Sequence, residues 1–183
     1  MAIHPDTASM LQESLREYLR VADWCVSYQK DESWGPEQVG GRLGYPAAVM
    51  MFCIADTIGS FHRGDRTFTV PVDGRSVTIC RQGFQHFYVL NGEYYGESLS
   101  EAAIKRLYAN FRDLLVHNAA LAPEHVLVSA PHCGAAFPVI DGRQLVNIDG
   151  FLAITKSAVK HFLARVRTVV PGSPEEGNIR KKR

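Results

Sequence analysis

Apolar residues recur at three- and four-residue steps in several stretches of the chain, and each such stretch predicts a helix. Met10, Leu11, Leu15, Leu19, Ala22 and Val26 place the first over residues 7–28. The segment KDESWGPEQVGG follows, with three glycines, a proline and four charges, and predicts a loop. A second helix starts at Tyr45-Pro46, where proline suits a first turn. Its run AAVMMFCIADTIGSF is apolar on most faces, which makes it the central helix, with Asp56, Ser60 and His62 towards its end and Arg63-Gly64 beyond. From residue 67 the period changes to two. Alternation over 67–72, the turn pair Asp73-Gly74 and a return over 76–80 predict a β-hairpin, with Pro71 marking an edge.

A short aromatic helix over 84–90 ends at Asn91-Gly92. Ser98 or Ser100 then caps a strong helix with Glu101 in its first turn. This helix is expected to run to about Ala122, before Pro123. A second β excursion covers 125–147, where 126–128 and 139–140 flank a loop and Asp141-Gly142 signals another hairpin. The last helix covers 150–169, with Phe151, Ile154, Val159, Phe162, Leu163 and Val166 inward. The expected fold is mainly α, a four- to five-helix bundle with two inserted β-hairpins. Residues 1–170 form a single domain, and the polar, basic-ended stretch 171–183 is expected to be a disordered tail.

Composition narrows the function classes. The 183 residues are 46% hydrophobic and 21% charged, with a net charge of +1. That balance excludes a protein that coats nucleic acid by charge alone. Cys25, Cys53, Cys80 and Cys133 form no C-x-x-C pair, so neither a zinc knuckle nor a thioredoxin-type motif is expected. The N-terminus lacks the charged start and apolar run of a secretion signal. The longest apolar stretch, 46–54, falls short of the roughly 20 residues that span a bilayer. A cytoplasmic protein without a membrane partner is the expectation.

One segment carries chemistry. In LYANFRDLLVHN (107–118), a helix turning about 100° per residue gathers Ile104, Leu107, Tyr108, Phe111, Leu114 and Leu115 on one stripe. Arg112 and His117 fall on the two shoulders of that stripe, about 140° apart. Asp113 and His117 are four apart and within reach of each other. Asn118 falls near the middle of the stripe, where a buried amide needs partners.

Arg112-Asp113-Leu-Leu-Val-His117 resembles the R-x4-6-H motif of HEPN domains, with a polar residue directly after the arginine. The resemblance implies an all-helical bundle spanning roughly residues 11–166. It implies a metal-independent endoribonuclease, of toxin or defence type, that uses no cofactor. It also implies a homodimer in which two copies of the motif face one composite cleft, RNA as substrate and an antitoxin protein as partner. The two hairpins depart from the minimal helical domain. On this reading His117 is the acid–base group and Arg112 the phosphate clamp. Asp113 orients the imidazole or the arginine, and Asn118 holds the helix face or contacts phosphate. The alternatives are a non-catalytic module of the same kind that binds a nucleotide, RNA or a protein partner, and an unrelated interaction protein whose motif is accidental.

Other polar groups offer weaker sites. His125, His132 and Cys133 lack the spacing of a metal site or of a Cys–His nucleophile pair. Phe87, Tyr88, Tyr94 and Tyr95 are expected to pack against the bundle rather than stack bases. Arg180–Arg183 is a basic cluster suited to phosphate but more simply read as a solvated end.

Overall fold

The computed structural model describes residues 4–62, 68–79, 83–173, 176, 177 and 179. The described chain is mainly helical. Helix α1 spans Thr7–Ser27 and is capped by the Asp6 carboxylate, which accepts from the Ser9 amide at 2.6 Å. Helix α2 spans Gly44–Phe61 and α5 spans Ile148–Val169. Between them, α3 (Glu101–Arg106), a π-helical stretch Leu107–Asp113 and α4 (Leu114–Asn118) follow one another as one helical rod. Ser100 is the residue that caps this rod, its hydroxyl accepting from the Ala103 amide. Helix α2 packs against α1, α5 and the 3-10 segment Gly83–Asn91, so the most apolar helix lies at the centre, as its composition predicts.

Helix α2 is also the one described helix long and apolar enough to cross a membrane by length and composition. Half of that span is buried against the rest of the fold. Its Phe52 ring joins four elements. It stacks on Phe87 of the 3-10 segment at 5.7 Å between centroids, and meets Phe151 of α5 at 4.9 Å and Phe111 of the rod at 6.4 Å. All four rings are buried. Aromatic contacts of this offset and tilted kind add to the area they remove from water.

Both Asp-Gly pairs make the turns expected of them. Strands β1 (Thr69–Val72) and β2 (Arg75–Thr78) pair antiparallel across Asp73-Gly74, and both turn residues have positive φ. Positive φ at both central positions matches the strand twist, and Asp with Gly tolerates it best. Strand β3 is Leu127–Val128, β4 Val139–Ile140, β5 Arg143–Gln144 and β6 Val146–Asn147. The second hairpin is β4–β5 across Asp141-Gly142. The 127–128 strand does not pair with 139–140; it runs parallel to β6.

Two buried asparagines hold the loops. The Asn147 amide nitrogen donates to the carbonyls of Ala130, Cys133 and Ala135, and its oxygen accepts from the Ala130 amide. Asn91 ties Pro71 to Leu99 through three bonds of 2.7–2.8 Å.

Two boundaries differ from expectation. The rod stops at Asn118 rather than near Ala122, because Ala119 turns left-handed at φ 52 and its amide closes on Leu115. Beyond α5 the chain does not leave the domain at residue 171. The Glu176 carboxylate accepts from the Gly172 amide at 2.7 Å and is buried, and Ile179 packs on the core. The basic cluster Arg180–Arg183 lies outside the described residues, as do Arg63 and Cys80.

Two substitutions test this packing. Phe111 is 1% exposed, so Phe111→Ala should cost about 3–5 kcal/mol in denaturant unfolding. A loss below about 1 kcal/mol would place the ring outside the core. Gly59, inside α2, lies so close to the neighbouring segment that an added Cβ would sit 2.1 Å from the His86 carbonyl oxygen. Gly59→Ala should therefore cost about 3 kcal/mol or more, since backbone rather than a mobile side chain must give way. An unchanged midpoint would refute that contact.

Candidate functional site

Asp56 is the one charged residue in α2, and it sits one helical turn past Phe52. A carboxylate on a helix otherwise buried needs partners, because desolvating it alone costs several kcal/mol. It has two. His86 Nδ1 lies 2.8 Å from one oxygen and Arg112 Nη2 lies 2.8 Å from the other. The Gly59 contact brings the His86 backbone against α2 and so sets the imidazole beside the carboxylate.

Arg112 is held on a second side by Asp113, whose carboxylate accepts from Nη1 at 2.8 Å. The guanidinium carbon also lies 5.2 Å from the centre of the Tyr108 ring, a cation–π distance. Three interactions thus fix a long side chain that would otherwise be mobile.

The charges follow from this geometry. Burial pushes the Asp56 carboxyl up, but the His86 hydrogen bond and the Arg112 charge outweigh it and hold the carboxyl below its ordinary value. An ionised carboxylate only accepts, so Nδ1 of His86 carries the proton of that bond. Burial disfavours the Arg112 charge, but Asp113 and Asp56 together strengthen it. Beside them the Cys53 thiol is pushed up, by burial foremost, and stays protonated.

The four residues singled out from the sequence divide into two pairs. Arg112 and Asp113 are half-buried and joined to each other. His117 and Asn118 stand on the last turn of α4, and residues 116–120 are all exposed. Two expectations need correction. Asn118 is not buried, because Leu115 is the last residue of the rod to reach the core and the chain is exposed from Val116 to Ala120. Asp113 does not pair with His117; its carboxylate is taken by the half-buried guanidinium beside it. The π-helical stretch contributes to both. Its wider turn spaces the buried residues Leu107, Phe111 and Leu115 four apart, and it slips the register that an unbroken α-helix would keep.

The weaker candidates are scattered. Cys133 and His132 are exposed, while His125 turns inward with its ring edge-on to Phe111. Among the described residues no group of three or more His, Cys, Asp or Glu is placed to hold a metal ion. Phe87, Tyr88, Tyr94 and Tyr95 are buried packing residues. His62 is buried against Phe68, Tyr94 and Phe162.

Comparison with protein families, with characterised proteins and with solved structures gives no match. Function therefore has to be read from the site itself.

The Asp56 tie has a pH signature. Its folded-state carboxyl ionises below the unfolded value of about 3.9, so the tie stabilises the fold above that pH. That contribution is lost as pH falls through the folded value. Asp56→Asn should be less stable than wild type by about 1–3 kcal/mol at pH 7, with the gap narrowing towards pH 3. Urea midpoints across that range check it, and a gap that does not change with pH would refute it.

Proposed function

We propose that the chain is a metal-independent endoribonuclease of HEPN type whose cleft is completed by a second copy of itself. The observation that carries this reading is the contrast between two residues of one rod. Arg112 is pinned in place by Asp56, Asp113 and Tyr108, while His117 stands exposed on the projecting last turn. A clamp benefits from being fixed in advance, and a proton carrier has to reach substrate.

The chemistry suits these groups. A neutral imidazole takes the proton of a ribose 2′-hydroxyl, and that oxygen forms a bond to the adjacent phosphorus. The bond from phosphorus to the 5′-oxygen breaks, and a protonated imidazole returns a proton to the leaving oxygen. The products are a 2′,3′-cyclic phosphate and a 5′-hydroxyl. One imidazole neutral and one protonated are the natural pair for these two transfers, which is why two copies of the rod make a better site than one. Arg112 supplies N–H donors to the phosphorane oxygens. A phosphate approaching Nη1 displaces Asp113, the more exposed of its two carboxylates at 37% against 21%. Asp56 keeps the arginine in place meanwhile. Val116, beside His117 and 39% exposed, gives the projecting turn an apolar contact for the second copy. RNA is then the substrate, the cytoplasm the setting, and a toxin or defence role with an antitoxin protein as partner the biological reading.

A second reading draws on the same ion pairs. With both terminal nitrogens of Arg112 bound to carboxylates, the residue also suits a purely structural staple. The chain would then be a non-catalytic module that binds a nucleotide, RNA or a protein partner.

Cleavage of a mixed RNA substrate in EDTA separates the two. The nuclease reading expects 2′,3′-cyclic phosphate ends, a dimer in sedimentation, and a loss of about 10²–10⁴-fold in rate for His117→Ala. That variant should keep wild-type stability, because its side chain is exposed. Full activity in His117→Ala would remove the acid–base role. A folded dimer that cleaves nothing would favour the module.

A further inference from the structure

A cavity of about 250 Å³ lies between the rod and the second hairpin, with Phe111 and Gln144 in its wall. Gln144 reaches it through local geometry. The Asp141-Gly142 turn starts β5, and alternation along that strand turns Arg143 outward and Gln144 inward. The Gln144 side chain is 8% exposed, and neither its amide oxygen nor its amide nitrogen has a hydrogen-bond partner among the described residues. An unmet donor and an unmet acceptor, side by side and out of water, cost stability with no structural return. Leucine or methionine would fill the same space without that cost.

The remaining walls say what the amide is for. The Phe111 ring and the His125 ring, edge-on at 5.3 Å, border the space. Arg106 and Arg143 are exposed at its rim, with Glu124 as the one acidic group. A flat ligand edge carrying an adjacent donor and acceptor satisfies a glutamine amide with two hydrogen bonds, and nucleobases present such edges. Guanidinium groups at the mouth suit the phosphate that accompanies a base. At about 250 Å³ the cavity has room to enclose a base, with the sugar and phosphate left at the mouth beside the two arginines.

We propose that this cavity is a nucleotide-binding site in which Gln144 reads the base edge and Arg106 and Arg143 hold the phosphate. The chemistry is common to a free mononucleotide and to one nucleotide of an RNA strand. The site goes beyond the cleavage reading and uses neither His117 nor Arg112, so either assignment can fail without the other.

The test is a calorimetric titration of the full chain with AMP, UMP, ribose 5-phosphate and a short oligoribonucleotide, the last on His117→Ala to prevent cleavage. At least one mononucleotide should bind about tenfold or more tightly than ribose 5-phosphate, which lacks the base. Gln144→Leu should lower nucleotide affinity about tenfold and leave ribose 5-phosphate unchanged, while its melting temperature equals or exceeds that of wild type. Arg143→Ala should weaken both ligands and flatten their salt dependence. Independently of any variant, the Gln144 side-chain amide resonances of the wild-type protein should shift on adding the nucleotide. Tighter binding of the oligonucleotide than of any mononucleotide identifies a strand as the natural source, and the reverse identifies a free nucleotide. Equal binding of nucleotide and ribose 5-phosphate, unaltered affinity in Gln144→Leu, unmoved amide resonances, or no binding at millimolar ligand would each overturn the site.

Discussion

The Asp56 carboxylate is the tie on which the arrangement of this protein depends. One oxygen accepts a hydrogen bond from an imidazole 30 residues away and the other from a guanidinium 56 residues away. Three elements meet there: the central helix α2, the 3-10 segment Gly83–Asn91 and the π-helical stretch Leu107–Asp113. Burial works against the charge of both Asp56 and Arg112, and each offsets it for the other. A half-buried carboxylate without a cation, or a half-buried guanidinium without an anion, is left with an uncompensated desolvation cost. Together they leave an arginine with its charge intact and its position fixed, and that is the starting condition for any role in binding a phosphate.

The aromatic cluster around Phe52 makes this possible. It joins the same elements one turn earlier along α2, adding α5, and so holds them at the spacing the hydrogen bonds need. Phe111 and Arg112 are consecutive, so the ring anchored in that cluster delivers the guanidinium beside it. The same ring borders the cavity where Gln144 lies. One short stretch of helix therefore carries both the ion-paired arginine and a wall of the cavity beside the second hairpin.

The long elements were legible in the sequence because their apolar periodicity is strong. Residues 7–28 and 150–169 show one clear face, and the apolar run after Pro46 can only be a central helix. The Asp-Gly pairs specified both hairpin turns, since few residues tolerate that backbone. The π-turn was not legible, as its residues have the same composition as an α-helix and only the register differs. Nor were the loop-holding roles of Asn91 and Asn147, because an isolated asparagine reads first as a turn residue. His86 was missed because nothing local marks a histidine in an aromatic run as the partner of a distant carboxylate. Two signals did exist. Asp56 is the one charge in an apolar helix and has to be paired, and Gly59 in the middle of that helix marks a close backbone approach.

The central claim is that Asp56 and Arg112 act on each other rather than separately on the fold. A double-mutant cycle on unfolding free energy, with Asp56→Asn, Arg112→Gln and the two combined, measures that directly. A coupling of about 1–3 kcal/mol at neutral pH is the result expected of a half-buried, hydrogen-bonded ion pair. Additivity to within about 0.3–0.5 kcal/mol would contradict it, and would leave Arg112 without the anchor on which its proposed role rests.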